Sequence, residues 1–216
     1  GDRKAIAIDP SYITKSGKNT PWIGYFWSGA AGQAKRGLEI LGVGLIDVDN
    51  KDCINLQAVQ TPDRQTLESR DANLIDWYLL VIKSMREKLH RASRHVVADA
   101  YFAKNNFVTG LQEMKFDLVS RFRDDAALYY PTLQKPTGKK GRPKLYDGKI
   151  DMANLDTTRV QKINIDNGDL YTLVAYSKSL KRMVRLVVWY SKDGKKPKLF
   201  FSTNPEMSGK DVIEFY

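Results

Sequence analysis

Two short apolar runs that each end in an aspartate constrain this chain more than any other feature. Residues 5–9 read Ala-Ile-Ala-Ile-Asp, and residues 95–99 read His-Val-Val-Ala-Asp. A continuous apolar run of this kind is typical of a strand buried on both faces. If the two strands are neighbours, Asp9 and Asp99 converge, and converging carboxylates repel unless a proton or a cation lies between them. The pairing indicates a site for a hard cation such as Mg²⁺, which prefers oxygen ligands.

A structural role explains each aspartate when it is taken alone. Asp9 precedes Pro10 and can begin a turn, and Asp99 can cap the helix that follows it. Aspartate is common at both kinds of position. Only the presence of two such strands favours the cation site over these two local roles.

Composition excludes several classes of protein. The 216 residues are 42% hydrophobic, so the chain can bury a core, and they contain no membrane-spanning apolar run and no signal-peptide pattern. The single Cys53 excludes an internal disulfide and indicates a reduced, intracellular setting. With only two histidines, the chain has few residues from which a histidine-based metal site or catalytic triad could be built. The net charge of +10 favours a polyanionic partner, with nucleic acid ahead of a membrane surface.

The first part of the chain alternates between predicted strands and helices. Apolar patterns predict strands at residues 4–9, 37–49, 53–60, 95–99 and 116–123, and helices at 71–92 and 103–114. The first three strands predict an antiparallel meander. Helices between the later strands imply parallel neighbours. The order is that of the ribonuclease-H-like fold, in which the first and fourth strands lie side by side and would place Asp9 next to Asp99.

A polar loop is predicted at residues 10–21, where Lys15 and Lys18 precede an aromatic segment at 22–27. Basic groups interleaved with aromatic rings suit a nucleic-acid backbone and its unstacked bases. The same rings can instead pack beneath a long loop, and the sequence leaves both interpretations open.

The composition changes after residue 124. Residues 133–144 are rich in Lys, Gly and Pro, and the tripeptide at 141–143 is similar to the AT-hook that enters a narrow minor groove. A solvated basic loop is the alternative. Beyond it, antiparallel strands are predicted at 160–165, 170–176, 183–190 and 198–202, and a helix from Ser208.

Four stretches together resemble the DDE transposases of bacterial insertion sequences, of the group with a β-rich insertion in a ribonuclease-H-like core. They are residues 5–18, 95–108, 141–149 and 199–216. The resemblance implies an α/β fold: a ribonuclease-H-like mixed sheet with flanking helices plus an antiparallel β-rich insertion. The expected divisions are a first core part at 1–124, the basic loop and insertion at 125–202, and the start of the last core helix at 203–216.

The resemblance also implies the chemistry. Asp9 and Asp99 would be two of three carboxylates that bind two Mg²⁺ or Mn²⁺ ions for DNA cleavage and strand transfer. The third is a Glu in the pattern Tyr, two residues, Arg, three residues, Glu. Tyr216 matches the Tyr, whereas Glu206 and Glu214 do not fit the Glu. The chain is therefore expected to be a truncated catalytic domain that binds DNA but cleaves it weakly.

The expected partners are double-stranded DNA, at transposon ends and targets, and a second copy of the chain, with no membrane. The expected phosphate contacts, which position DNA without reading its sequence, are Lys15, Lys18, Lys139, Lys140, Arg142 and Lys144. The expected location is the bacterial cytoplasm, associated with the nucleoid, and a DNA-binding segment is expected before Gly1.

Two other functions stay open. One is a ribonuclease-H-like nuclease that hydrolyses nucleic acid without joining strands, which the two carboxylates cannot distinguish from a transposase. The other is a non-catalytic DNA-binding module in which Asp9 starts a turn and Asp99 caps a helix. Strand-transfer assays discriminate the first from a transposase, and metal titration discriminates the second.

Overall fold

The chain forms two compact units. The computed structural model describes residues 2–17, 19–133, 144–165, 168–194 and 196–216. The first unit comprises residues 1–97 and 109–116, and the second comprises 98–108 and 117–216. Both contain strands flanked by helical segments, and the first contains both parallel and antiparallel pairs. The predicted mixed sheet with flanking helices is confirmed.

The first unit is built around its longest strand, β3. Its elements are the strands β1 (Lys4–Thr14), β2 (Gly24–Ser28), β3 (Gln33–Asp47), β4 (Asp52–Gln60) and β5 (His95–Val97), the helices α1 (Arg64–Glu68) and α2 (Leu74–Ala92), and the end of α3 (Asn105–Glu113). Strand β3 pairs antiparallel with β1, β2 and β4, which confirms the predicted meander. Strand β2 was not predicted.

Strands β1 and β5 are parallel neighbours, as the sequence predicted for its first and fourth strands. Ile6 lies opposite Val96, and Ala7 lies opposite Val97. Helix α2 connects the meander to β5, which gives β5 the direction that a parallel pair requires.

The predicted end of β1 was wrong. The strand continues through residues 10–14, so Asp9 lies within it rather than at its end, and residues 10–14 are not a loop. The reason is β3, which begins at Gln33 and supplies partners for this extension, with Pro10 opposite Leu41. Proline is tolerated here because the described pairing with β5 ends before Pro10, and a strand with one neighbour accommodates a residue that lacks an N–H.

The predicted helix at 71–92 is confirmed as α2, except that it begins three residues later than predicted. Asp71 has a φ of +52°, which no helical residue adopts, and the helix begins at Leu74 after the N-cap Asn73. Asn73 Oδ1 accepts from the Ile75 N–H (2.9 Å), and Asp76 Oδ2 accepts from the Asn73 N–H (2.9 Å). This capping box satisfies amide groups that the first turn leaves without intrahelical partners.

The second unit contains the antiparallel strands that the sequence predicted at 160–165, 170–176, 183–190 and 198–202, together with further elements. It contains a 3₁₀ turn (Ala100–Phe102), the start of α3, the strands β6 (Asp117–Arg121), β7 (Leu128–Pro131), β8 (Tyr146–Lys149), β9 (Gln161–Ile165), β10 (Gly168–Ser177), β11 (Arg182–Ser191) and β12 (Lys198–Ser202), and α4 (Gly209–Phe215). The strand order is β6-β12-β11-β10-β7-β8, with β9 also on β10. Strands β7 and β8 were not predicted.

Helix α4 begins in close contact with the second unit's strands. Ser208 caps it, and the Ser208 side chain accepts from the Asp211 N–H (3.0 Å). A Cβ at Gly209 would lie 2.6 Å from Thr172 Cβ and 2.9 Å from Ile163 Cδ1. Only glycine fits this approach without displacing its neighbours.

Candidate active site

Asp9 lies on an exposed face of the first unit's sheet. It is opposite Gly42 on β3, and its side chain is exposed. Ser11 Oγ donates a hydrogen bond to Asp9 Oδ2 (3.2 Å). Among the described residues, no partner occupies Oδ1. The carboxylate is therefore open to a ligand, and it starts no turn.

A second acidic residue, Glu39, lies close enough to be affected by the Asp9 charge. Burial raises the pKa of Glu39, and the negative charge of Asp9 adds to the rise, while the hydrogen bond from Tyr78 opposes it. Tyr78 Oη donates to Glu39 Oε1 (2.6 Å). Sequence reasoning missed Glu39, although a lone Glu within the apolar alternation of residues 37–46 was a visible signal.

Asp99 belongs to the second unit and does cap the turn that follows it. Its Oδ1 accepts from the Tyr101 N–H (2.9 Å), and its backbone carbonyl accepts from Ser120 Oγ (2.8 Å). The capping role that the sequence offered as an alternative is therefore present. The residue is nevertheless exposed, so the cap does not prevent the carboxylate from binding a ligand.

Cationic side chains lie around Asp99. Burial lowers the pKa of Lys104, the positive charge of Arg123 lowers it further, and the charge of Asp99 opposes both. Burial raises the pKa of Tyr216, Arg121 opposes that rise, and Asp99 adds to it. The charge of Asp99 therefore acts on Lys104 and Tyr216, and Arg123 and Arg121 act on the same two residues. Cations gathered in this part of the second unit suit an anionic ligand.

A cleft of about 440 Å³ lies beside this group in the second unit. Its lining residues are Ala100, Arg121, Phe122, Arg123, Asp124, Asp125, Lys198 and Leu199. Three cations and two carboxylates in one cleft offer contacts to phosphate oxygens and to a counter-ion.

The six residues predicted to bind phosphate lie in different settings, and the structure describes only two of them. Lys15 follows β1 and is exposed. Lys144 Nζ forms an ion pair with Asp147 Oδ1 (2.9 Å), which partly neutralises its charge. The other four lie outside the described residues, namely Lys18, Lys139, Lys140 and Arg142.

The donor chemistry of the two aspartates fits a hard divalent cation. Both present carboxylate oxygens at exposed positions, and carboxylate oxygens are what Mg²⁺ and Mn²⁺ prefer. Within the described ranges, no group of three or more His, Cys, Asp and Glu side chains is arranged to hold a metal ion. That Asp9 and Asp99 share one ion stays a prediction.

A sequence-family model described as DDE superfamily endonuclease matches residues 1–168 of the 216. The chain belongs to the DDE superfamily endonuclease family. The matched range contains Asp9, Asp99 and all of the first unit. A comparison with curated proteins found no match.

Family membership gives the two aspartates a chemical context. A DDE endonuclease domain is a nuclease or transposase domain, its substrate is DNA, and members typically depend on divalent metal ions. None of the described helices combines the length and apolar character that a membrane crossing requires.

Proposed function

We propose that Asp9 and Asp99 together bind a divalent cation, and that the chain is the catalytic domain of a DDE transposase that cleaves and joins DNA strands. The observation that carries the proposal is the register of β1 and β5. Ala7 lies opposite Val97 in this parallel pair, and each candidate carboxylate follows two residues later in its own segment. The exposure of both side chains supports the same conclusion.

The proposed fold is a ribonuclease-H-like core with a β-rich insertion. The β1–β3–β4 meander, the connecting helix α2 and the parallel β5 follow the element order of that fold. The antiparallel block from β7 to β12 corresponds to the insertion, and a bacterial insertion sequence is the proposed source.

The chain's own residues would hold and orient the substrate. When bound, Mg²⁺ or Mn²⁺ activates an attacking oxygen and neutralises charge on the leaving oxygen. Asp9 would hold the cation through a carboxylate that Ser11 orients. Asp99 would use Oδ2, because the Tyr101 N–H occupies Oδ1 and restricts the rotation of the side chain.

Lys104, Arg121 and Arg123 would bind phosphates of the DNA strand near Asp99. Charge-assisted contacts of this kind position a phosphodiester without reading bases. Lys15 and Lys144 would extend the contacts along the DNA. Affinity should fall steeply with salt, because each neutralised phosphate releases counter-ions.

Metal titration tests the proposal. We expect Mn²⁺ to raise the melting temperature of the chain, and Asp9→Asn or Asp99→Asn alone to abolish the rise. Asp169→Asn is the matched control, since Asp169 is an exposed aspartate whose described partner is Lys162. An unchanged Mn²⁺ effect in both single variants would contradict the proposal.

The transposase function is separable from plain hydrolysis. Precut DNA ends incubated with the protein and Mg²⁺ should be joined to a target duplex at a low rate, because this chain is expected to be only weakly active. Hydrolysis without joined products would instead favour a nuclease of the same family.

A further inference from the structure

Strand β2 presents two large aromatic side chains to solvent. Tyr25 is 74% exposed and Trp27 is 64% exposed, whereas Phe26 between them is 4% exposed. Side chains alternate between the faces of a strand, so Tyr25 and Trp27 share the outer face while Phe26 points into the core. Of the aromatic segment that the sequence singled out, Trp22 does pack, with its ring edge-on to Trp77 at 6.4 Å. Packing does not account for Tyr25 and Trp27.

The register places these aromatics on the same sheet face as Asp9. Tyr25 lies opposite Arg36, and Trp27 lies opposite Ala34 on β3. Further along β3, Gly42 lies opposite Asp9. Cross-strand partners share a face, and even-numbered positions of β3 alternate onto that face. The surface formed by Asp9, Ser11, Ile13, Tyr25, Trp27 and Arg36 is called the Asp9 face below.

Burial supports this assignment independently of the register. Every strand residue named for the Asp9 face is exposed. The opposite face carries the buried Ile8, Phe26, Glu39 and Leu41. Tyr78 of α2 donates to Glu39 there, so α2 covers that face and leaves the Asp9 face open.

The distance along the Asp9 face from Asp9 to Tyr25 and Trp27 corresponds to several nucleotides of DNA. Arg36 and Ala34 precede Gly42 on β3 by six and eight residues. At about 3.4 Å per residue, Tyr25 and Trp27 lie roughly 20 and 27 Å along the strand from Asp9. A strand in duplex DNA advances about 3.4 Å per nucleotide. An unpaired strand is more extended, so the separation corresponds to at most about six to eight nucleotides.

The charge of the surroundings favours a nucleic acid as the occupant. Arg36 is exposed on the Asp9 face, and its guanidinium donates to the Gly17 carbonyl (3.0 Å), which orients it. Lys15 is exposed on the segment that follows β1. Cations beside exposed rings bind a backbone and its bases at the same time. Ring faces accept bases that are not stacked on a partner, which favours a single strand over a duplex.

We propose that the Asp9 face binds one DNA strand, with unpaired bases stacked on Tyr25 and Trp27 and the backbone leading to Asp9. The inference rests on the proposed function, because it takes Asp9 as the position of the scissile phosphate. It adds a requirement for unpaired DNA within about eight nucleotides of that phosphate.

Fluorescence of Trp27 provides the test. Of the four tryptophans, only Trp27 is exposed, so a single-stranded oligonucleotide should quench the emission that Trp27→Tyr removes. Trp27→Ala and Tyr25→Ala should each weaken single-strand binding at least about fivefold, as expected for the loss of one stacked base. Trp27→Tyr and Tyr25→Phe should retain affinity within about twofold, because they keep a ring.

Leu80→Ala is the matched control, since Leu80 is an apolar residue that is 55% exposed on α2. Its affinity for the oligonucleotide should be unchanged. Equal losses for duplex and single-stranded DNA, or unchanged affinity in both aromatic-to-alanine variants, would overturn the inference. So would concentration-dependent shielding of Trp27 without DNA, which would assign the face to a second copy of the chain.

The Mn²⁺ titration separates the two proposals. If Mn²⁺ binding requires Asp9 but Trp27 is not quenched, the stacking inference fails and the proposed function stands. If Trp27 is quenched but Mn²⁺ binding does not require Asp9, the proposed function fails. In that case the aromatic surface binds DNA for some other activity, and the inference that the DNA backbone leads to a scissile phosphate at Asp9 also fails.

Discussion

The two candidate carboxylates have contrasting environments. Asp9 lies on an open sheet face, where Ser11 is its described hydrogen-bond donor. Asp99 caps a 3₁₀ turn through Oδ1, and its charge acts on Lys104 and Tyr216. The contrast shows that exposure alone does not define the role of a carboxylate. Asp9 has no evident structural task, whereas Asp99 stabilises the local backbone as well as being available to a ligand.

The largest expected effect comes from removing the packing beneath the Asp99 turn. Phe102 is fully buried, and its ring lies 4.8 Å from that of Phe107. Phe102→Ala should lower the free energy of unfolding by about 3–5 kcal/mol because it leaves a cavity. Urea denaturation measures the change, with Phe102→Leu as the milder control. A loss below about 1 kcal/mol would show that the turn is not held by this ring.

The next effect concerns the buried pair behind the Asp9 face. Tyr78→Phe removes the hydroxyl that donates to Glu39 and should cost about 1–3 kcal/mol, since a buried carboxyl loses its partner. Thermal or urea unfolding of the variant measures this cost. Stability equal to that of the wild type would mean that the hydrogen bond contributes nothing to the first unit.

A smaller effect on stability distinguishes the capping role of Asp99 from its role in binding a ligand. Asp99→Ala should destabilise the metal-free protein by about 0.5–2 kcal/mol, whereas Asp99→Asn should be nearly neutral because asparagine caps as well. Asp9→Asn should also be neutral, since Asp9 caps nothing. Calorimetry without divalent metal tests the three variants together. A substantial loss in Asp9→Asn would erase the contrast between the two sites.

The smallest expected difference is in pH dependence. The pKa of Glu39 is raised in the folded protein, so the folded state keeps this proton to higher pH than the unfolded chain. Its contribution to stability is full below the unfolded-state pKa and is lost as pH rises through the folded-state pKa. From about pH 4 to about pH 8, Glu39→Gln should therefore lose less stability than the wild type. If the free energy of unfolding of the two proteins changed with pH in the same way, the raised pKa of Glu39 would be contradicted.

Local patterns in the sequence predicted much of the fold. The alternation in β10 and β11, the helical spacing of α2 and the parallel pairing of β1 with β5 were all accessible from the sequence. Strand β2 and the extension of β1 were not. Pro10 and the polar residues after it indicate a loop, and only pairing with the distant β3 makes them a strand.

The candidate site shows the same limit. The sequence identified Asp9 and Asp99, and it also offered capping as a role for Asp99, which the structure shows. Glu39 was missed despite its position within an apolar run, and its pairing with Tyr78, 39 positions away, could not be foreseen. Nor could the sequence show which aromatics of residues 22–27 are exposed, because that depends on the side of β3 that α2 covers.

Iron-directed backbone cleavage reports whether Asp9 and Asp99 hold the same cation. Fe²⁺ in place of Mg²⁺ or Mn²⁺ reduces added hydrogen peroxide to hydroxide and a hydroxyl radical, becoming Fe³⁺, and the radical cuts polypeptide near the ligands of the ion. We expect cuts near both residue 9 and residue 99, and we expect Asp9→Asn alone to abolish the cuts at both positions. Cuts near residue 99 that persist in Asp9→Asn, or cuts at one position only, would contradict a cation shared by the two carboxylates.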